Sequence, residues 1–438
     1  MAEPFELTAS QVAAAIRAGR LSPVELVDSL LDRISRLDTA VHAWVRVDAE
    51  RARAEARACV AEAAESRSRG PLHGVPVGLK DIYFTEGLAT EAGSPLHTGF
   101  VPKQDAATVA RLRRAGAIVL GKTQTTQFAM GDPAPTCNPW DLQHTPGGSS
   151  SGSAAAVAAR MVPAALGTQT AGSVLRPASF CGIVGFKPTS GRFSLEGIFP
   201  LAWTLDHPGT LTRSVADARL LFSVLDERGE HARRRGAGRA PILGLLRGAF
   251  IAKADSDALA NLEVTAGRLA RAGATLTDVR LPDGFDLAVE VHHVIMAAEA
   301  ASYHAADHLT HPESYRPLLR TLIETGALVP ASVYLHAQRL RTELVSEAAA
   351  LLDGVDCLIM PSALGAAPPG LASTGNPIFN VPWSLFGLPA LSIPSGLSGD
   401  GLPYGLQLIG RADADAALLD AAEWCERALG RLPMPSGV

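Results

Sequence analysis

The chain has 438 residues, 47% hydrophobic and 19% charged, with a formal net charge of −5 and neither an acidic nor a basic block. That composition excludes a mainly disordered chain, and the charge leaves no electrostatic footprint for nucleic acid. Five scattered cysteines (Cys59, Cys137, Cys181, Cys357 and Cys425) form no CxxC pair, which argues against a disulfide framework or a thiolate zinc site and points to a reducing, cytoplasmic setting.

The first ten residues carry neither a basic stretch nor an apolar one, so no signal peptide is expected. No run of 18 apolar residues follows, so no membrane span is expected either. Residues 8–66 read as helices. Thr8 is placed to cap the first, and Ser22-Pro23-Val24-Glu25 has the pattern of a capping box with proline at the first helical position. Leu26, Leu30, Leu31, Ile34 and Leu37 then recur at helical spacing, and 51–66 reads as a polar, alanine-rich helix.

From Leu72 the texture changes to short apolar runs punctuated by glycine and proline. Residues 75–79 and 117–120 read as buried strands with a helix over 105–115 between them, the rhythm of a mostly parallel α/β sheet. Residues 134–152 read as a loop, 153–161 as a helix of small residues able to pack closely, and 164–200 as apolar turns alternating with glycine. Helices are expected over 215–226 and 256–272 with a strand near 242–246, and almost throughout 285–350. Strands are expected over 355–361 and 388–396, and a closing helix over 413–429. No repeat and no long linker appears, so one domain is expected over residues 1–438.

The run Pro146-Gly147-Gly148-Ser149-Ser150-Ser151-Gly152-Ser153 is the richest in chemistry. Glycines let backbone N–H groups approach a ligand, and serines add hydroxyls. Three readings compete. A flexible linker fits poorly, because a proline precedes the run and a helix follows at once. A G-x-S-x-G nucleophile elbow centred on Ser150 needs a preceding strand, and residues 137–145 read as loop. The third reading is a serine site completed elsewhere. Downstream, Gly167-Thr168-Gln169-Thr170-Ala171-Gly172-Ser173-Val174-Leu175-Arg176 places a serine after Ala-Gly in what reads as a tight turn. Consecutive N–H groups there point one way, as an oxyanion requires.

With these residues in view, the chain resembles the amidase signature family from about residue 8 to residue 430. The specific core is 147–189. Further matches are His73-Gly74-Val75-Pro76-Val77-Gly78-Leu79-Lys80-Asp81, Asp206-His207-Pro208-Gly209, Pro382-Trp383 and Gly387-Leu388-Pro389-Ala390. The resemblance implies an α/β fold: a single large domain with a central twisted mixed sheet covered by helices. Within it, 1–70 would be N-terminal helices, 71–230 the catalytic core, 285–350 a helical pocket wall and 355–438 the C-terminal part of the core. It also implies a Ser–cis-Ser–Lys unit with Ser173 as nucleophile, Ser149 as the bridging serine and Lys80 as the base. The N–H groups of Thr170, Ala171, Gly172 and Ser173 would form the oxyanion hole. No metal and no organic cofactor is implied.

The chemistry is reasonable in itself. A serine hydroxyl is a poor nucleophile until its proton is taken, and a lysine can take it only when neutral. Burial disfavours the charged form, and Lys80 follows directly on the apolar run 75–79. The ordinary alternative for Lys80 is an ion pair with Asp81 or a place at the surface. The chain departs from the family pattern at three points. Ser151 replaces a glycine. Ala171 has a Cβ, so its backbone should avoid φ > 0. Arg176 lies three residues after Ser173 rather than two. Arg176 is offered both as a structural residue holding the loop and as a bidentate clamp for a substrate carboxylate.

Two further patterns resemble functional motifs without their structural context. Gly116-Ala117-Ile118-Val119-Leu120-Gly121-Lys122-Thr123 fits the P-loop pattern, yet its inner residues are themselves the expected strand, which leaves no loop for phosphate. His207 beside Asp206 suggests a catalytic triad, but adjacent side chains rarely hold that geometry, and a loop histidine before Pro208 is the better reading. His292, His293, His304 and His308 lie on expected helices. His304 and His308 have i,i+4 metal spacing but no companion motif, and read as polar groups lining a pocket or a surface.

The expected function is hydrolysis of a linear carboxylic amide through an acyl-enzyme, with esters and carbamates (urethanes) as side substrates. The alternative is the glutaminase subunit of a tRNA-dependent amidotransferase, and a P-loop nucleotide-binding protein is the remote one. Met130, Arg176, Phe128, Ile378, Phe379 and Trp383, with residues around Tyr303, are expected to form a largely apolar substrate pocket. The expected partner is a small-molecule amide, with no nucleic acid and no membrane. The composition leaves room for a homodimer.

Overall fold

The apolar runs between glycines and prolines become strands buried on both faces, as the near-continuous hydrophobic texture requires. The computed structural model describes residues 3–229, 238–282 and 284–438. Its strands are β1 (Trp44–Val47), β2 (Pro76–Lys80), β3 (Ile118–Thr123), β4 (Ala164–Gln169), β5 (Val184–Lys187), β6 (His207–Thr212), β7 (Ile242–Arg247), β8 (Thr275–Arg280), β9 (Cys357–Pro361), β10 (Ala390–Leu397) and β11 (Pro403–Ile409). All join one sheet in the order β1-β3-β2-β4-β6-β5-β10-β11-β9-β7-β8. The pairs β2–β3, β2–β4, β7–β8 and β7–β9 are parallel and the rest antiparallel, so the sheet is mixed.

The helices are α1 (Ala9–Arg17), α2 (Pro23–Val41), α3 (Ala49–Ala64), α4 (Ala107–Arg114), α5 (Ser151–Ala158), α6 (Leu175–Phe180), α7 (Val215–Leu225), α8 (Ser256–Arg271), α9 (Leu287–Thr310), α10 (Pro317–Gly326), α11 (Ala331–Ala350), α12 (Val381–Leu385) and α13 (Asp415–Leu429). Thr8 and Gln11 form a capping box at α1, whereas Ser22 caps α2 alone, accepting from the N–H of Val24. The region 285–350 divides into α9, α10 and α11; α10 and α11 pack on α9, which also packs on α12.

The site is positioned by α5 and by three parallel strands. β2, β3 and β4 run in one direction, so their carboxyl ends share one edge, the usual place for a ligand site in such sheets. β2 ends at Lys80 and β4 runs into Thr170. Every residue of α5 is buried. Its small side chains allow this contact: a Cβ at Gly152 would lie 2.1 Å from the carbonyl oxygen of Ala43.

Several expectations about strands are corrected. The sheet, read as mostly parallel, has more antiparallel pairs than parallel ones, and 164–200, read as turns, holds β4 and β5. Residues 44–47 fall inside a segment read as helical but form β1, antiparallel to β3. His207, expected in a loop, instead opens β6 and is buried, with Nδ1 3.3 Å from the carbonyl oxygen of Gln169. Pro208-Gly209 reads as a strand breaker, yet β5 pairs with β6 only from Thr210 to Thr212. Pro208 therefore has a strand neighbour on one side alone, where a missing N–H is tolerated.

Candidate active site

Four serines of the 146–153 run have different surroundings. Ser150 Oγ accepts from the N–H of Thr168 (3.2 Å) and is fully buried, so it is not presented as an elbow nucleophile would be. Ser151 Oγ donates to Gly147 O (2.7 Å), and Ser153 Oγ donates to Leu166 O (2.9 Å). Ser149 alone reaches a titratable group: its Oγ lies 2.8 Å from Lys80 Nζ, which is also 2.8 Å from Thr168 Oγ1. The Gly148–Ser149 peptide bond is cis.

Lys80 is fully buried, and burial pulls its pKa down to about 7. Asp81 turns elsewhere: Oδ2 accepts from the N–H of Glu91 (3.0 Å), and Oδ1 lies 3.5 Å from Lys122 Nζ. The negative group that acts on Lys80 is Asp206, which opposes the fall in its pKa. Asp206 accepts from the hydroxyl of Thr170 and from the N–H groups of Leu201 (2.9 Å) and Ala202 (3.1 Å). Burial nonetheless raises its own pKa to about 6. Lys122, the lysine of the P-loop pattern, is buried inside β3 and donates to Thr90 Oγ1 (2.7 Å); the residues that would have to wrap a phosphate are the strand itself.

Ser149, Ser173 and Thr170 to Gly172 share one cavity of about 240 Å³. The N–H of Ser150 donates to Ser173 O (3.3 Å), joining the two turns. After Ser173, the N–H groups of Val174 and Leu175 are both taken by Gln169 Oε1, each at 3.0 Å. Those of Ala171, Gly172 and Ser173 meet no protein acceptor among the described residues. Ala171 keeps a negative φ, as its Cβ demands. The arrangement therefore offers a lysine whose charge is disfavoured, a hydroxyl in contact with it, a second hydroxyl in the same cavity and a row of free N–H donors.

Arg176 lies in the cavity wall, buried, with a pKa lowered to about 10 by desolvation. Nη2 donates to Gly148 O (2.7 Å) and Thr374 Oγ1 (3.1 Å), while Nε and Nη1 have no partner among the described residues. Nη2 thus holds the serine loop, while Nε and Nη1 are unsatisfied.

Of the residues expected in the pocket, Met130 and Arg176 line it. Phe128, Phe379 and Trp383 are core residues instead. Phe128 packs on His304 (4.6 Å between centroids), Phe379 on Phe250 (5.5 Å) and Trp383 on Phe285 (5.6 Å). Ile378 and Tyr303 also lie off the cavity wall. The apolar wall is built by Ala129, Leu201, Met296, Leu318 and Pro377, with Thr374 beside them. Large aromatic residues are the natural guess for a pocket, but their area is better buried in the core behind it. His304 and His308 hold no shared ligand position. His304 Nδ1 meets the Tyr315 hydroxyl (3.2 Å), and His308 Nε2 lies 3.7 Å from Glu324. His292, read as a pocket or surface histidine, is buried and donates from Nε2 to Thr170 O (2.9 Å). Asp206 had a sequence signal, a lone carboxylate at the end of the apolar stretch 198–205, but its contact with Thr170 had none.

The Amidase family model matches residues 25–419. The chain is 37% identical to a glutamyl-tRNA(Gln) amidotransferase component of Anaeromyxobacter sp. (strain K), the A subunit of that enzyme, with 97% of this chain and 96% of the relative covered. Among solved structures it resembles an amidase at 33% identity (TM-score 0.90, 97% and 100% covered) and the peptide amidase of Stenotrophomonas maltophilia at 29% (TM-score 0.84, 98% of each). Sequence and fold agree over nearly the whole length: the chain belongs to the amidase signature family, whose members act on amide C–N bonds.

Proposed function

We propose that the chain hydrolyses a carboxylic amide through an acyl-enzyme on Ser173. The observation that carries this reading is the 2.8 Å contact between Lys80 Nζ and Ser149 Oγ, buried beside the cavity that holds Ser173. With Lys80 neutral, its lone pair accepts the Ser149 proton as Ser149 accepts that of Ser173. Ser173 Oγ attacks the amide carbon, and the oxyanion meets the N–H donors of the 170–173 turn. The proton returns along the same path to the leaving amine, the C–N bond breaks, and water repeats the sequence on the acyl-enzyme. Esters and carbamates fit the same chemistry.

The cavity bears on the acyl group. Arg176 brings a buried positive charge with two unpartnered nitrogens, and no acidic side chain lines the same wall among the described residues. A buried charge without a counterion is costly, so an anionic substrate group, a carboxylate above all, is favoured there. Apolar Met130, Leu201, Met296 and Leu318 suit the rest of a small substrate. A second reading, the glutaminase component of a tRNA-dependent amidotransferase, is favoured by the 37% identity to an amidotransferase component over nearly full length. Glutamine is itself an amide bearing a carboxylate, so the two readings share a site and differ in partners.

The test is hydrolysis by the purified chain of small amides, anilides, aryl carbamates and glutamine, paired with and without an acyl-side carboxylate, with Ser173→Ala as blank. Turnover without partners, with the carboxylate-bearing member of each pair preferred and the preference lost in Arg176→Leu, supports the first reading. Glutamine hydrolysis that appears only with amidotransferase partner subunits supports the second. Turnover unchanged in Ser173→Ala rejects both.

A further inference from the structure

We propose that His292 and Ser384 are positioning residues that set the direction of the oxyanion-binding N–H groups by anchoring the carbonyls behind them; the inference rests on the reading of Ser173 as nucleophile. His292 Nε2 donates to Thr170 O (2.9 Å), and Ser384 Oγ donates to Ala171 O (2.7 Å). In a planar trans peptide the C=O of one residue and the N–H of the next point in opposite directions. Fixing the Thr170 carbonyl toward α9 therefore turns the Ala171 N–H away from α9. Fixing the Ala171 carbonyl toward α12 does the same for the Gly172 N–H. These N–H groups have no protein acceptor among the described residues, and Ala171 and Gly172 line the cavity.

The anchors are held in turn. Ser384 Oγ accepts from Gln169 Nε2 (3.0 Å), whose Oε1 occupies the N–H groups of Val174 and Leu175. The Thr170 hydroxyl is fixed by Asp206. At the close-packed side of the turn, a Cβ on Gly172 would lie 2.5 Å from Asn380 Oδ1. Donors fixed before the reaction need not reorganise as charge develops, which is the condition for stabilising a tetrahedral intermediate. His292 is suited to the task because burial keeps its pKa down, to about 4, so a neutral ring donates throughout the working pH range.

The test compares the full chain with His292→Leu, His292→Gln and Ser384→Ala. It reads kcat and KM for an amide the unaltered enzyme turns over, together with the inhibition constants of an arylboronic acid, which forms a tetrahedral adduct on serine, and of the carboxylate product. Loss of an oxyanion donor costs about 10²–10³ in kcat, and a misdirected one is expected to cost about tenfold or more. His292→Leu and Ser384→Ala should lower kcat and weaken the boronic acid by similar factors, with KM and product binding nearly unchanged. His292→Gln should restore most of the loss, because its side-chain amide can donate to the same carbonyl. Unchanged kcat in both loss variants, a loss seen in KM and product binding instead, or no rescue in a glutamine variant of ordinary thermal stability would overturn the proposal. If His292→Leu does not fold, Ser384→Ala decides alone. An unaltered enzyme that binds no boronic acid and keeps its turnover as Ser173→Ala would remove the parent reading, and the anchors with it.

Discussion

Ser149, Ser150, Ser151 and Ser153 share a chemistry and a stretch of chain, yet only Ser149 touches Lys80. The other three hydroxyls are engaged with backbone groups, which is what small polar side chains do when buried. Position thus separates a candidate proton carrier from structural neighbours of the same residue type. Ser173→Ala is expected to leave the fold intact and cut turnover by about 10³ or more, measured with circular dichroism and steady-state kinetics side by side. A second residue-scale prediction concerns Asp206. Its negative charge favours the protonated form of Lys80, so Asp206→Asn should lower the lysine pKa further and move the acid limb of the pH–rate profile to lower pH. The readout is the position of that limb rather than its height, because an amide cannot accept from both the Thr170 hydroxyl and the N–H groups of Leu201 and Ala202. A limb that stays in place or moves up would show that Asp206 does not act on Lys80.

At the scale of elements, packing decides what local pattern leaves open. Gly152 on α5 has backbone of residues 43 and 124 where a side chain would go. Gly152→Ala is therefore expected to destabilise the fold by about 1–3 kcal/mol or more in denaturant titration, against a change within about 0.5 kcal/mol for Gly399→Ala, whose Cβ meets nothing within 4 Å. The small-residue composition of 153–161 made a closely packed helix legible, as leucine spacing made α2 and the apolar run made β2, but that pattern starts the helix two residues late and leaves Gly152 in the expected loop. β1 was not legible, because four residues between two helices carry too little alternation, and their strand exists through pairing with β3. β6 was hidden by Pro208-Gly209, which a one-sided pairing tolerates. The edge strand β8 left no signal in the sequence, because its charged, mostly exposed positions carry no apolar run. For the candidate site, motifs singled out Lys80, Ser149 and Ser173, of which the structure brings Lys80 to Ser149 and sets Ser149 and Ser173 in one cavity wall. The apolar wall was mostly missed, because Met296 and Leu318 reach it from α9 and α10 by tertiary packing alone.

Across the whole molecule, one sheet carries strands from β1 to β8, and a large apolar core runs along it, with a small second cluster around Trp140 and Phe180. That core also encloses Lys80, Lys122 and Lys187, with burial pulling their pKa values to about 7, about 8 and about 7. The unfolded chain, with ordinary lysines, binds more protons than the folded chain above these values, so the three groups make stability rise with pH from about 7. From about pH 8.5 the gain is partly offset, because ordinary cysteines ionise there while the buried cysteines are pushed up and act in the opposite sense. Urea titrations at pH 7 and 8.5 should show this gain, and Lys187→Met, remote from the cavity wall, should reduce it. The same low lysine pKa is central to the proposed chemistry. It is tested most directly by the rate at which a serine-directed phosphonate labels the full chain as a function of pH, with the modified peptide mapped by mass spectrometry. Labelling at Ser173 is expected to rise through a midpoint near pH 7 to an alkaline plateau, and to be almost lost in Lys80→Arg, whose guanidinium stays charged. Labelling of Ser150, or a Lys80→Arg enzyme labelled at the unaltered rate, would contradict that chemistry.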